Sequence, residues 1–253
     1  MLTACDAVAA EDTRRSKVLL DHFGIHKPLL HLDQHSSQEA LARALGCGHL
    51  AYVSDAGTPG LSDPGAELLQ AALALGHRVE VLPGPTALIP ALLLSGLPPV
   101  PFHFEGFLPM KGAERLRRLE QLAPRQATSV IYESPLRLAA TLRELVALCG
   151  GERRASVTRE LSKLHEETFR GNLQEAAAHF SGRVRGEVVL VVSPAPPAPA
   201  RPAGTDYAAL AAELASSGSS ALQIRRALVS AGMRRNDAYV LALEAAGKRP
   251  ETT

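Results

Sequence analysis

Two loops rich in glycine and proline constrain this chain more than any other feature. The first loop, residues 54–65, follows an apolar strand pattern, and the second, residues 83–86, follows another. Each loop leads into a pattern typical of a helix. In open α/β sheets, small ligands bind beyond the carboxyl ends of the strands, in loops of this kind. The two loops therefore predict a ligand crevice at one edge of a sheet.

Strand and helix patterns alternate on both sides of these loops. Strands are predicted at residues 6–10, 29–32, 49–54 and 79–82, with helices between them. The spacing of Ser36 and Glu39 predicts a capping box, Asp63 and Pro64 suit the start of the helix after the first loop, and Thr86 can cap the next helix. This rhythm is typical of a parallel, doubly wound sheet.

Two proline-rich segments divide the chain. We predict an N-terminal α/β domain at 1–98 with a parallel sheet, a second α/β domain at 102–193, a linker at 194–204 and a helical module at 205–253. Two strand patterns follow each other without a helix in the second domain, which predicts a mixed sheet. Three short helices in the last module, with Ser219 and Asn236 as cap candidates, suggest a helix-turn-helix-like unit.

The composition narrows the class of protein. Apolar residues make up 46% and charged residues 21% of the 253 residues, which is typical of a globular protein. The net charge of +1 gives no whole-chain signature of nonspecific nucleic-acid binding, so phosphate contacts would have to come from local patches. Three separated cysteines favour a reduced compartment such as the cytosol. No apolar run approaches the ~20 residues of a membrane span.

Each motif also has a purely structural explanation. The first loop is neither a G-x-G-x-x-G fingerprint nor a P-loop, so its Gly and Pro residues could serve a sharp turn alone. The charge clusters at 11–14 and 159–163 could be solvated ion pairs. His31 and His35 lie on an extended segment, and no metal site is predicted. Nothing resembles H-E-x-x-H or G-x-S-x-G, so no motif supports a hydrolase.

Taken together, several segments resemble one family. They are residues 10–14 (AEDTR), 53–65 (VSDAGTPGLSDPG), 83–85 (PGP), 106–109 (GFLP), 132–137 (YESPLR) and 159–163 (RELSK). The chain resembles the ribosomal RNA small subunit methyltransferase I family, within the tetrapyrrole methylase superfamily. The resemblance covers nearly the whole chain. It implies a two-domain α/β fold of the class III S-adenosylmethionine methyltransferases, with a small helical module at the C-terminus.

The resemblance also implies an activity, a cofactor and partners. Members methylate the ribose 2′-hydroxyl of cytidine 1402 in the decoding centre of 16S ribosomal RNA within the small ribosomal subunit. They use S-adenosylmethionine and commonly form homodimers. The cofactor contacts of the superfamily fall here on Asp55, Gly57, Thr58, Leu61, Gly84, Pro85, Thr86, Ala87, Tyr132, Glu133 and Ser134.

Methylation of a ribose hydroxyl needs a base, or a cation beside the developing alkoxide. The candidates for the base are Glu11, Asp12, Glu133 and Glu166, and those for the cation are Arg14 and Lys163. The phosphate-binding candidates are Lys111, Arg115, Arg117, Arg118, Arg225, Arg226, Arg234 and Arg235. An ordinary solvated helix face would explain the same basic residues.

Two other functions stay open. One is a tetrapyrrole methyltransferase, and the other is a noncatalytic ribosome-binding module. The second alternative arises because family members begin with a further strand and a Thr-Pro-x-Gly-Asn-Leu-like loop before the aspartate that corresponds to Asp6. A sheet without that strand would expose apolar faces and leave backbone groups unpaired, each at a cost of about 1–3 kcal/mol.

Overall fold

The computed structural model describes residues 1–33, 35–197, 206–233 and 235–246. Strands and helices alternate along the chain as predicted. The strands are β1 Ala7–Ala10, β2 Leu29–His31, β3 Leu50–Val53, β4 Phe102–Phe107, β5 Thr128–Glu133, β6 Arg154–Arg159, β7 Glu167–Asn172 and β8 Val188–Val192. The helices are α1 Thr13–His22, α2 Gln38–Leu45, α3 Gly65–Ala74, α4 Leu88–Leu94, α5 Ala113–Leu122, α6 Leu138–Cys149, α7 Leu173–His179, α8 Tyr207–Ser216, α9 Ala221–Ser230 and α10 Arg235–Ala245.

The first sheet is parallel and has β1 at its centre, in the order β2-β1-β3. All four residues of β1 are buried. Val8 packs with Leu20 of α1 on one face, whereas Ala9 packs with Leu41 and Leu68 of α2 and α3 on the other. A short run of small apolar residues is what a strand covered on both faces requires.

The second sheet is mixed, as predicted, in the order β4-β5-β8-β6-β7. β4 and β5 are parallel, and the remaining pairs are antiparallel. The valine-rich strand β8 is fully buried at the centre. Helices α5, α6 and α7 contribute the apolar cluster on one face, and α4 packs on the other face against Val130, Val189 and Val191. This second face is the one that meets the first loop.

One predicted strand does not form. Residues 77–86 carry no helix or strand, and Val81 and Leu82 are 71% and 63% exposed. An alternating apolar pattern marks a face, but a strand also needs a neighbouring edge to accept its backbone hydrogen bonds. No described segment pairs with this one.

Several helix caps differ by one residue from the prediction. Ser37, not Ser36, caps α2, because Ser36 instead bonds with Asp33. Ser220, not Ser219, caps α9. Asn236 lies inside α10 rather than before it. Neighbouring serines offer equivalent hydroxyls, so the spacing alone does not choose between them.

The chain divides into two compact units, Met1–Ala195 and Pro196–Thr253. The second unit contains α8, α9 and α10, whose shared core includes Ile224, Leu228 and Ala238. The predicted division of the first unit near residues 98–102 lies between α4 and β4 and stays a prediction. Among the described residues, no helix is long and apolar enough to cross a membrane.

Candidate active site

The carboxyl ends of β1 and β3 lie side by side and bring acidic residues together. Ala10 pairs with Val53 in the parallel register, so the residues after them leave the sheet at the same level. The Asp12 amide donates a hydrogen bond to Asp55 Oδ1 at 3.3 Å. Arg15 forms an ion pair with Asp55 Oδ2 at 3.2 Å. Asp55 thus fastens the start of α1 to the glycine loop, the name used below for residues 54–65.

Asp63 holds the glycine loop in shape. Its Oδ1 atom accepts hydrogen bonds from the amides of Gly60 and Gly65, both at 2.8 Å. Gly60 has a φ of 83°, in the left-handed region that favours glycine. At Gly65 the limit is space, since a Cβ atom there would lie 2.3 Å from Cε1 of Tyr52. Backbone conformation and packing therefore explain these two glycines.

The glycine loop meets the second loop, residues 83–86, and the second sheet. Thr58 Oγ1 donates to the carbonyl oxygen of Pro85 at 3.2 Å. Leu61, Ala87 and Tyr132 all pack against the apolar cluster that α4 forms with β5 and β8. Residues of both loops and Tyr132, which the sequence assigned to cofactor binding, thus come together. Their role in binding stays a prediction.

Glu11 follows β1 and faces other carboxylates. Partial burial raises its pKa, and the charges of Asp55, Asp63 and Asp33 raise it further. A carboxylate with a raised pKa accepts a proton more readily at neutral pH. Of the four base candidates, Glu11 is the one whose surroundings favour proton uptake.

Asp12 and Arg14 form a local pair at the start of α1. The Asp12 side chain caps the helix by accepting the Arg14 amide at 2.9 Å, and Arg14 Nε and Nη2 each lie 3.1 Å from one of its oxygens. These hydrogen bonds lower the pKa of Asp12 to about 2. Asp12 is therefore a weak base. The Arg14 side chain is 91% exposed and accessible to an anion.

Two buried polar atoms beside the glycine loop form no hydrogen bond of full geometry among the described residues. They are the Tyr52 hydroxyl and Asp63 Oδ2. Burial raises the pKa of Tyr52, and the charges of Asp63 and Glu11 add to that effect. Unpaired buried polar atoms are uncommon in native proteins and call for an explanation. A side-chain hydrogen-bonding contact between Tyr52 and Asp63 also raises the pKa of Tyr52, so the two residues partly satisfy each other.

The second sheet gathers three strand ends at one edge. Phe107 pairs with Tyr132, and Glu133 and Arg159 both pair with Val188. The carboxyl ends of β4, β5 and β6 are therefore level. The loops that follow them carry the GFLP, YESP and RELSK segments seen in the sequence.

Lys163 and Glu166 are committed to the loop after β6. Lys163 Nζ lies 3.0 Å from Glu160 Oε1 and 3.2 Å from Glu187 Oε2, and these hydrogen bonds raise the pKa of Lys163. Glu166 Oε2 accepts the amide of Ser162 at 2.6 Å. Both side chains are exposed. Their present contacts shape the loop.

Glu133 points to the face of β5 that lies away from the glycine loop. Its neighbour Tyr132 packs towards α4 and the glycine loop, and successive strand residues point to opposite faces. The Glu133 side chain is fully buried and paired with Arg137. Thr141 donates a hydrogen bond to it at 2.7 Å, and so does the amide of Ser134. We therefore do not retain Glu133 as a base or as a direct cofactor contact.

The predicted phosphate-binding residues fall into two groups. Arg115 is only 6% exposed, and its guanidinium group is held by Glu144, Thr141 and the Pro109 carbonyl. It cannot reach a phosphate, so we drop it from that set. Arg118 is partly buried and donates to Glu105.

The remaining candidates for phosphate binding are either exposed or lie outside the residues that the structure describes. Lys111 is exposed in the loop after β4, and Arg117 pairs with Glu114 on the surface of α5. In the second unit Arg226 is exposed and Arg225 stacks over Tyr239. Arg234 lies outside the described residues. For Arg235 only the helical backbone is described.

Sequence reasoning missed the network around Glu133. Arg137 follows Glu133 by four residues, and Thr141 follows Arg137 by four. That spacing places side chains on one face of a helix. The spacing could have predicted that these three side chains interact. Residues 134–137 form a turn before α6, however, so helical spacing alone does not place Glu133 beside Arg137.

Comparison with known proteins places this site in a family. The family model for tetrapyrrole (corrin/porphyrin) methylases matches residues 1–177. A Mesorhizobium japonicum protein named ribosomal RNA small subunit methyltransferase I is 44% identical over 85% of this chain and 76% of its own length. A Synechocystis protein of the same name is 45% identical over 78% of this chain and 72% of its own.

Solved structures share the fold at low identity. Diphthine synthase matches with a TM-score of 0.58 and 14% identity over 76% of this chain and 81% of that one. Uroporphyrin-III C-methyl transferase from Thermus thermophilus, complexed with S-adenyl homocysteine, matches with a TM-score of 0.50 and 19% identity over 75% of this chain and 86% of that one. This chain therefore belongs to the ribosomal RNA small subunit methyltransferase I family of the tetrapyrrole methylases.

Proposed function

We propose that the protein transfers a methyl group from S-adenosylmethionine to ribosomal RNA, at the ribose 2′-hydroxyl of a cytidine in the decoding centre of the small subunit. The observation that carries this proposal is the meeting of the two loops with Tyr132 beside a row of carboxylates, in a chain so similar to ribosomal RNA methyltransferases. Likeness to the porphyrin and diphthine enzymes supports the fold only.

The residues present fit this cofactor. Glu11, Asp55 and Asp63 give the crevice a negative potential that suits a sulfonium cation. The backbone at the glycine loop is open, as nothing lies within 4 Å of a Cβ built at Gly57. The bound cofactor would supply an electrophilic methyl group.

The chain's own part in the reaction is alignment and proton removal. We propose that Glu11 takes the proton from the ribose hydroxyl, because its raised pKa suits a base. Arg14, three residues further along the chain, is exposed, and we propose it as the cation that stabilises the developing alkoxide. Lys163, held by two glutamates, is the weaker candidate for that role.

RNA would contact exposed cations near the site and on the helical module. We propose Lys111, Arg117 and Arg226 for phosphate contacts, since all three are exposed. We also propose that the substrate is the assembled small subunit and that the enzyme acts as a homodimer. Sedimentation of the purified protein would measure the latter.

The decisive experiment is methylation of purified small ribosomal subunits with isotope-labelled S-adenosylmethionine, followed by mapping of the modified ribose. We expect a single 2′-O-methylated cytidine. Methylation of uroporphyrinogen with untouched subunits would instead support a tetrapyrrole methyltransferase. Binding to subunits without calorimetric binding of S-adenosylmethionine would support a noncatalytic ribosome-binding module.

A further inference from the structure

We infer that Glu133 is a positioning residue: from the far face of β5, its buried carboxylate fixes the two loops that flank Tyr132. One loop is residues 108–112 after β4, and the other is residues 134–137 after β5. The functional part of this inference rests on the proposed methyl transfer, but the structural part can be tested without it.

The carboxylate of Glu133 has donors on both oxygens. Oε1 accepts the amide of Ser134 at 2.7 Å and lies 2.5 Å from Arg137 Nη2. Oε2 accepts the Thr141 hydroxyl at 2.7 Å and lies 3.9 Å from Arg115 Nη1. With all these groups in place, the side chain has no free oxygen with which to act as a base.

Arg115 and Arg137 connect this network to the loop after β4. Arg137 Nη1 donates to the carbonyl oxygen of Leu108 at 3.1 Å. Arg115 Nη1 donates to the carbonyl oxygen of Pro109 at 3.0 Å, and its Nη2 donates to Thr141 Oγ1 at 2.8 Å. Arg137 therefore ties the Leu108 carbonyl directly to Glu133, whereas Arg115, which is paired with Glu144 at 2.5 Å, ties the Pro109 carbonyl to Glu133 through Thr141.

Charge balance explains why a glutamate is needed. Arg115 and Arg137 are largely buried, with side chains 8% and 22% exposed. Glu133 is the fully buried anion between them, whereas Glu144, the other anion near Arg115, is 44% exposed. Removing one member of a buried ion pair leaves its partner uncompensated. Without the Glu133 charge, Arg137 would turn towards water and release the Leu108 carbonyl, whereas Arg115 would keep its ion pair with Glu144.

The anchored loops frame the face of β5 that meets the crevice. Tyr132 makes T-shaped contacts with Phe104 and Phe107 of β4, with ring centroids 4.8 and 5.7 Å apart. Gly106 approaches the glycine loop so closely that a Cβ there would lie 3.0 Å from Ser62 Oγ. A shift of the loop after β4 would therefore move groups at the proposed cofactor crevice.

The test compares Glu133→Gln with two controls in the full chain. Glu152→Gln is the same chemical change at an exposed residue in the turn before β6, at the opposite edge of the sheet. Leu145→Ala removes a buried side chain of the same core from α6, and an aliphatic side chain takes no part in the hydrogen bonds and ion pairs of the network. The measurements are calorimetric binding of S-adenosylmethionine, KM and kcat on small subunits across pH, and hydrogen exchange at residues 106–109 and 134–137.

For Glu133→Gln we expect the dissociation constant and KM to rise by about tenfold to a hundredfold, since small misplacements of binding groups have effects of that order. The pH profile of kcat should keep its midpoints, and both loops should exchange faster. Thr141→Val, a milder variant, should move the same quantities in the same direction. Neither control should change binding per folded molecule.

Three results would overturn the inference. Glu133→Gln could lower kcat alone and abolish one limb of the pH profile, which would make Glu133 the base. It could leave binding and loop exchange unchanged. Leu145→Ala could weaken binding of S-adenosylmethionine as much as Glu133→Gln does. That result would mean that the loss of binding comes from a less stable fold and not from the anchor. If the wild-type protein binds no S-adenosylmethionine, the proposed function fails, but loop exchange in the free protein still tests the anchor.

Discussion

Glu11 and Glu133 lie at the ends of strands in the two sheets, but the charges around them have opposite signs. Glu11 directly follows β1 in the first sheet, and Glu133 ends β5 in the second. Glu133 is buried among two arginines, a hydroxyl and an amide. Glu11 is mostly exposed, and its pKa is raised first by partial burial and then by the charges of neighbouring carboxylates.

Glu133 therefore stabilises the fold, whereas Glu11 is accessible and is the base that we propose. A buried carboxylate with every oxygen engaged is held in one state and stiffens its surroundings. A carboxylate crowded by like charges keeps its proton longer and sits nearer to the pH at which a base works. The second sheet thus holds its buried glutamate in a fixed place, while the first sheet brings together the carboxylates that include the proposed base.

The largest effect should come from Glu11→Gln. Loss of a general base lowers a rate by typically 10²–10⁴-fold, and glutamine cannot take a proton. We therefore expect kcat on small subunits to fall within that range, while binding of S-adenosylmethionine changes little. Single-turnover methylation measures the rate.

Asp12→Asn provides the matched control for that variant. Asp12 is adjacent, but its low pKa makes it a poor base, so its loss should affect α1 more than the rate. A rate loss for Asp12→Asn equal to that for Glu11→Gln would contradict the assignment.

The next effect is on stability and lies at the second sheet. Glu133→Ala should lower the free energy of unfolding by about 3–5 kcal/mol, because it leaves the largely buried Arg137 without its anion. Urea denaturation measures the change. Glu166→Ala, at an exposed glutamate, should change stability by no more than about 1 kcal/mol. If both variants lost the same free energy of unfolding, burial and pairing of Glu133 would not explain its contribution to stability.

A smaller effect is expected at the glycine loop. Gly65→Ala should destabilise the fold by about 1–3 kcal/mol, since its Cβ would overlap the Tyr52 ring. Gly182→Ala is the control, because no atom lies within 4 Å of a Cβ there. Thermal unfolding compares them. If Gly65→Ala were as stable as Gly182→Ala, the packing reason for this glycine would be wrong.

The sequence predicted the fold well where local patterns decide it. The strand predicted at 29–32 forms as β2 Leu29–His31, and the mixed second sheet followed from two strand patterns without a helix between them. The strand at 79–82 was wrong because its formation depends on a partner edge, which a local pattern does not reveal. The capping serines were off by one for a similar reason, since adjacent hydroxyls are locally equivalent.

The site was predicted in part. The loop motifs identified segments that meet near Tyr132, although the second loop follows no strand, and the roles of these residues in binding stay predictions. The sequence could not rank Glu11, Glu133 and Glu166 as bases. That ranking depends on which face a strand residue uses and on which charges lie nearby, and both come from tertiary packing. The burial of Arg115 was hidden for the same reason.

The smallest expected effect is a pH-dependent gain in stability for Glu11→Gln. The pKa of Glu11 is raised in the folded protein, so between its unfolded and folded pKa values the native state holds a proton that the unfolded state has released. Stability therefore falls as pH rises through that window and stays lower above it. Glutamine carries no such penalty.

The variant should melt slightly above the wild type at pH 8 and together with it below pH 4.5, the ordinary pKa of the group. Because Glu11 is mostly exposed, solvent screens its neighbours and the gain should stay below about 1 kcal/mol. Calorimetric melting temperatures across pH measure the difference. A variant less stable than the wild type at pH 8 would mean that Glu11 gains more from its contacts than it loses to the surrounding carboxylates.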